Sequence, residues 1–125
     1  MPKWLIITLA VLLVAGLATW WVLSRPNPNV GDATKVEVTY DAATQATLDR
    51  VTITRAQLAD ATCGEGQNCW IAVNGVVRDL AGIPTWARGV HHEVEAGTDA
   101  TEAFIGSGHA RAVLEKLPVV GRLGA

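Results

Sequence analysis

The sequence predicts a small α+β domain carried behind one membrane-spanning helix. Three observations predict it: an unbroken apolar run near the N-terminus, an Asn-Gly dipeptide between two short apolar segments, and capped helical stretches that alternate irregularly with short strands. At 125 residues the chain is long enough for one core and an appendage, and too short for two cores of ordinary size.

Residues 4–23 (WLIITLAVLLVAGLATWWVL) carry no charge. At about 1.5 Å of rise per residue such a run spans roughly 30 Å, the hydrocarbon thickness of a bilayer. Trp4 at one end and Trp20 and Trp21 at the other sit where amphipathic rings favour the headgroup level, and Arg25 with Pro26 closes the segment. A cleaved signal peptide is the alternative. Gly16-Leu17-Ala18 is the one passable cleavage site, but the residues after Thr19 stay apolar and would leave a greasy terminus. Residues 1–24 are therefore read as an uncleaved anchor that tethers the chain to the membrane through residues 4–23. Lys3 and the terminal amine balance Arg25, so charge asymmetry says little about orientation.

Residues 25–34 (RPNPNVGDAT) are rich in Pro, Asn and Gly and read as a linker that buries nothing. Lys35–Tyr40 (KVEVTY) alternates as a half-exposed extra strand would, while 41–50 shows no clear period, so 35–50 has no assigned role. The folded domain is expected over 51–125. It starts with a short strand at Val51–Ile53, then a capping box of Thr54 and Gln57 that opens a helix through Leu58 and Ala61. Cys63 and Cys69 enclose GEGQN, a short loop that a disulfide can close, which suits an oxidising, extracytoplasmic compartment. Two reduced thiols or half a zinc site are the alternatives, and the spacing lacks the closeness of zinc knuckles.

Trp70–Leu80 (WIAVNGVVRDL) is two strands around Asn74-Gly75, the dipeptide suited to the positive φ angles of a type I′ turn. Asp99 with Glu102 three residues on opens another helix. Ala110, Val113, Leu114 and Leu117 recur at i, i+3, i+4 and i+7 for a last one, which Pro118 stops before a strand at Val119 and Val120.

All three histidines, His91, His92 and His109, fall within nineteen positions. Between them runs a segment with a specific likeness. AGTDATEAFIGSGHA at Ala96–Ala110 resembles the stretch of cytochrome b5 that passes through a pocket helix to the second axial histidine. The resemblance continues in order, with Thr54–Leu58 as the capped first helix, CWIAVNGVVRDL as the hairpin and PVVGRL as the closing strand, and it covers about 51–123. It implies a cytochrome b5-like α+β fold around a haem, with His109 as one iron ligand, Gly108 as the glycine before it and Phe104 as an aromatic wall.

For the other ligand the family's usual HPGG motif is missing, and the chain reads WARGVHHEVEAG. Trp86, Gly89 and His91 resemble a shorter bacterial branch with W-x-x-G-x-H, which implies His91, with its neighbour His92 as the alternative. Adjacent histidines cannot readily both point at one iron. Two neutral imidazoles would fill both axial positions, which favours electron transfer over oxygen chemistry. Ile83, Val90, Val94, Phe104, Ile105 and Leu114 surround these ligands in sequence as candidate pocket walls, although each taken singly is more often a core residue than a cofactor contact. No CxxCH occurs, so the haem would be held non-covalently as haem b.

No Lys or Arg lies between Gly89 and Ala110, whereas Glu93, Glu95, Asp99 and Glu102 do, forming either an acidic rim for a redox partner with a basic face or simply a solvated surface. Beyond Arg25, eight basic residues stand against twelve acidic, which argues against nucleic acid as a partner. The expected protein is a membrane-anchored b-type cytochrome, an electron carrier and not an enzyme. A haem- or hydrophobic-ligand-binding module with a sensing or scaffolding role is the alternative, and a zinc-binding domain using the same histidines is a third.

Overall fold

α1 (Lys3–Leu23) is one helix long and apolar enough to cross a membrane, and none of its residues packs into the rest of the protein. Everything after it belongs to a small α+β domain, in a computed structural model that describes residues 1–125. Residues 25–34, expected to bury nothing, instead dock on the domain: the backbone N–H of Gly31 donates to the Ile105 carbonyl at 2.8 Å. The strand expected over Lys35–Tyr40 does not form either. A 3₁₀ turn at Ala33–Val36 buries Lys35 and Val36 side by side, and the following residues run extended without a strand partner.

Residues 41–50, which show no period, hold α2 (Ala42–Arg50). Asp41 caps it by accepting from the N–H of Thr44 at 2.7 Å, and Leu48 is its one buried residue, so no apolar stripe announces it.

β1 (Thr52–Ile53) leads into α3 (Arg55–Ala59), whose capping box between Thr54 and Gln57 forms as expected, with bonds of 2.8 and 3.1 Å. A disulfide joins Cys63 and Cys69. β2 (Trp70–Val73) and β3 (Val76–Asp79) make the expected hairpin, with Asn74 and Gly75 both at positive φ (50° and 75°). After a 3₁₀ turn at Pro84–Trp86 come β4 (Val90–His91) and β5 (Val94–Glu95), a separate two-stranded ribbon.

α4 (Thr101–Gly106) starts one residue later than a cap at Asp99 requires. Ala100 is the cap position, and the Asp99 carboxylate accepts from the N–H of Thr101 at 3.1 Å without any return bond from Glu102. α5 (Arg111–Glu115) buries Leu114, but it is so short that Val113, expected on its core face, is 41% exposed. β6 (Val119–Leu123) completes a four-stranded sheet in the order β1-β6-β3-β2, with β1 parallel to β6 and the other pairs antiparallel.

The hairpin strands are buried on both faces. Ile71 and Val73 join Val36, Leu80, Trp86, Ala96, Ala100 and Leu114 in the larger cluster, while Ala72 and Val77 pack with Ile53 and Leu58 in the smaller. One charge lies inside as well. Arg78 of β3 is 2% exposed, and its guanidinium donates to the carbonyls of Leu114 and Leu117, both at 3.0 Å, and to the Tyr40 hydroxyl at 2.9 Å. It thereby caps the C-terminal end of α5, where unpaired carbonyls carry partial negative charge.

Candidate functional site

The larger cluster leaves a cavity of about 480 Å³ at one end, lined by Ile71, Trp86, Val94, Ala100, Ala103 and Phe104 together with all three histidines and the Gly106–Gly108 loop. The histidines reach it from two sides. His91 ends β4, and the two-residue turn His92-Glu93 joins it to β5, where His91 pairs with Val94. Both turn residues have positive φ (47° and 65°), a geometry that costs a non-glycine residue on the order of 1 kcal/mol. Such a tight reversal fixes where the His91 side chain leaves the ribbon. Its ring centroid lies 5.3 Å from that of the buried Trp86 and 4.2 Å from that of His92.

Gly89 sets the entry to this ribbon. Its φ is +75°, its N–H donates to Trp86 and its carbonyl accepts from Ala96, each at 2.8 Å, and an added Cβ would come within 2.5 Å of the Thr62 carbonyl. Gly89→Ala is expected to destabilise the domain by about 2–3 kcal/mol through backbone strain and overlap. The measurement is the denaturant midpoint, and a midpoint equal to the wild type would show that the ribbon is free to move away from Thr62.

From the other side comes the loop between α4 and α5. Ser107 and Gly108 lead to His109, whose N–H donates to Ser107 Oγ at 3.3 Å while that hydroxyl donates to the Phe104 carbonyl at 2.7 Å. The ring centroids of His91 and His109 are 6.1 Å apart, with planes 26° from parallel, and Phe104 lies 6.5 Å beyond His109 at 16°. Burial holds the His91 pKa below its ordinary value, and its neighbours His92 and His109 lower it further. The shift favours the neutral form, which is the form that binds a metal.

These residues fit the haem that the likeness to cytochrome b5 implies. Metal–nitrogen bonds run to about 2 Å, and the 6.1 Å between the ring centroids of His91 and His109 leaves room for one ion that both could hold. The zinc alternative lacks its donors, since no group of three or more His, Cys, Asp or Glu is placed to hold a metal ion.

The expected walls divide. Val94 and Phe104 line the cavity. Val90 is instead 47% exposed on the outer side of the ribbon, because a strand turns alternate side chains to opposite faces. Leu114 lies inside the core, Ile105 packs against that core and Ile83 lines a separate hollow by the disulfide. Ile71, Ala100 and Ala103 replace them as lining, together with Trp86. The pattern of β2 and the small residues around α4 could have suggested these, but nothing local marks them as lining.

Another residue near the site carried no sequence signal at all. Lys35 is 2% exposed, and its ammonium donates to the carbonyls of Asn29 and Ser107 at 2.8 Å and of His109 at 3.0 Å. Burial pushes its pKa below the ordinary lysine value, against the opposing pull of Asp32.

No protein-family model and no curated protein matches the chain. Two solved structures do. A cytochrome b5 domain protein from Hadesarchaea YNP_N21 is 37% identical, with a TM-score of 0.55, over 59% of this chain and 99% of that one. A cytochrome b5 domain protein from Methanococcoides burtonii is 32% identical, with the same TM-score of 0.55, over 60% of this chain and 99% of that one. Both are covered almost end to end at an identity well above the range in which only folds are shared, and with the α+β architecture and the histidine-lined cavity this places the chain in the cytochrome b5 domain family.

Proposed function

We propose that this chain is a membrane-tethered b-type cytochrome, which holds one non-covalent haem between His91 and His109 and passes single electrons between redox partners. The observation that carries the reading is the 6.1 Å separation of the two rings across an apolar-lined cavity. A bound haem would supply a reversible one-electron iron couple, and His91 and His109 are the residues that would hold it. The chain's own residues do the rest. His91 and His109 present ring nitrogens, Phe104, Val94, Ile71 and Trp86 exclude water, and Ala100 and Ala103 leave room for the ligand. Both His91 and His92 border the cavity, and His91 is preferred because it is half-buried on the strand while His92 sits exposed at the turn.

Glu93, Glu95, Asp99 and Glu102 are all exposed around this end of the domain, an acidic surface suited to a partner with a basic face. α1 supports a single-pass anchor, and the Cys63–Cys69 disulfide supports an extracytoplasmic domain, where thiols are oxidised.

The test is to titrate the full chain in detergent with haemin and to record oxidised and reduced spectra. One equivalent should give a sharp low-spin reduced spectrum that survives His92→Ala and is lost in His91→Ala; the reverse pattern moves the ligand to His92. No uptake by the wild type ends the cytochrome reading. Uptake without reversible redox cycling would end the carrier role and leave a haem-binding module.

A further inference from the structure

Lys35 lies in the segment that follows the membrane helix, yet its ammonium ends beneath the loop that carries His109. The carbonyls of Ser107, Gly108 and His109 are consecutive, and each accepts a hydrogen bond from this segment. Lys35 Nζ holds those of Ser107 and His109 at 2.8 and 3.0 Å, and Asn27 Nδ2 holds that of Gly108 at 3.2 Å. The third bond of the ammonium goes to Asn29 at 2.8 Å, which ties the segment to itself. Gly31 donates to the Ile105 carbonyl just before the loop, and the Arg111 guanidinium just after it donates to the Thr34 carbonyl.

A buried ammonium with no hydrogen-bonded carboxylate is a costly way to fill space, and an apolar side chain would fill it more cheaply. Lysine supplies what an apolar residue cannot. Its protons converge on carbonyls from both ends of the His109 loop, and its charge stands 4.8 Å from the centre of the Phe104 ring, which itself lines the cavity. Ring orientation at an axial ligand is set by the groups that hold its backbone and its neighbours.

We infer that Lys35 is a positioning residue of the haem site: it fixes the backbone of the His109 loop and sets one positive charge behind Phe104, which favours the reduced over the oxidised iron. This rests on the haem reading above, and the two can fail separately.

The experiment uses the full chain in detergent, as wild type, Lys35→Met and Lys35→Arg. In the haem-free protein, hydrogen exchange at residues 107–110 should be about tenfold faster in the Met variant, the effect on local opening of losing about one net hydrogen bond, while the β2–β3 hairpin keeps its protection. After haem loading, the potential of Lys35→Met should be more negative than that of the wild type, and Lys35→Arg, which keeps the charge, should lie close to the wild type. Unchanged exchange at 107–110, or equal potentials in wild type and Lys35→Met, overturns the inference. If Lys35→Met also deprotects the hairpin, Lys35→Gln carries the test, since it keeps two donors and loses the charge; a potential equal to the wild type would then overturn it. A wild-type chain that takes up no haem sinks the haem reading, while the exchange measurement still decides whether Lys35 holds the loop.

Discussion

Replacing His109 with alanine in the full chain is expected to abolish the low-spin spectrum and to weaken haem binding by about a hundredfold or more. Loss of an outer support alone costs roughly 10–100-fold at metal sites, and a ligand does more than its supports. The retained walls, Ile71, Trp86, Val94 and Phe104, still offer apolar burial, so residual binding should be high-spin. The fold should survive, because His109 is exposed and its only side of the hydrogen-bond network is its backbone, which alanine keeps. The check is therefore double: a lost low-spin band together with an unchanged denaturation midpoint in the haem-free chain. A low-spin spectrum that persists in this variant would remove His109 from the iron.

The largest stability effect is expected at Arg78. Alanine there strips hydrogen bonds from the Leu114 and Leu117 carbonyls and from the Tyr40 hydroxyl, and leaves a void beneath α5. The Leu114 carbonyl keeps the Leu117 N–H at 3.1 Å, so at about 1 kcal/mol for each of the two groups left unsatisfied plus a cavity penalty, the loss should reach about 3–4 kcal/mol. Methionine keeps most of the volume and removes the desolvation of a charge whose Nε has no hydrogen-bond partner, so Arg78→Met should cost less, about 1–2 kcal/mol. Urea midpoints of the haem-free chain should fall in the order wild type, Met, Ala. An alanine variant within 1 kcal/mol of the wild type would mean that the guanidinium's desolvation offsets all of its hydrogen bonds.

Both effects depend on residues of unequal visibility. The hairpin around Asn74-Gly75, the Thr54–Gln57 capping box and the strand after Pro118 are local features, in which a few neighbouring residues dictate backbone geometry, and they form where the sequence places them. The cytochrome b5 likeness of 51–123 was legible for the same reason, since its words lie within single elements. α2 was not, because a nine-residue helix with one buried side chain has a cap but no apolar period. KVEVTY looked like a strand because its apolar residues alternate. Lys35, though, goes inward beside Val36, drawn by carbonyls 72 and 74 positions away that no local pattern reveals.

The pocket walls failed in a similar way. Sequence proximity to His91 and His109 suggested Val90, Ile105 and Leu114, but strand alternation and helix packing send those side chains outward or into the core. Ala100 and Ala103 matter for what they leave open, and an absence of volume leaves no mark in hydropathy.

The docking of Asn27 on Gly108 also fixes how the domain can travel. Only Ser24, Arg25 and Pro26 separate the end of α1 from that contact, and four residue steps reach at most about 14 Å. With α1 in a bilayer, the domain cannot swing out to sample the surrounding solution as a long flexible leash would allow. Its meetings with partners then become a matter of lateral diffusion in the plane of the membrane. On the proposed carrier role, the rate of electron delivery would follow the surface density of carrier and acceptor, and would hardly respond to the volume of the compartment the domain faces.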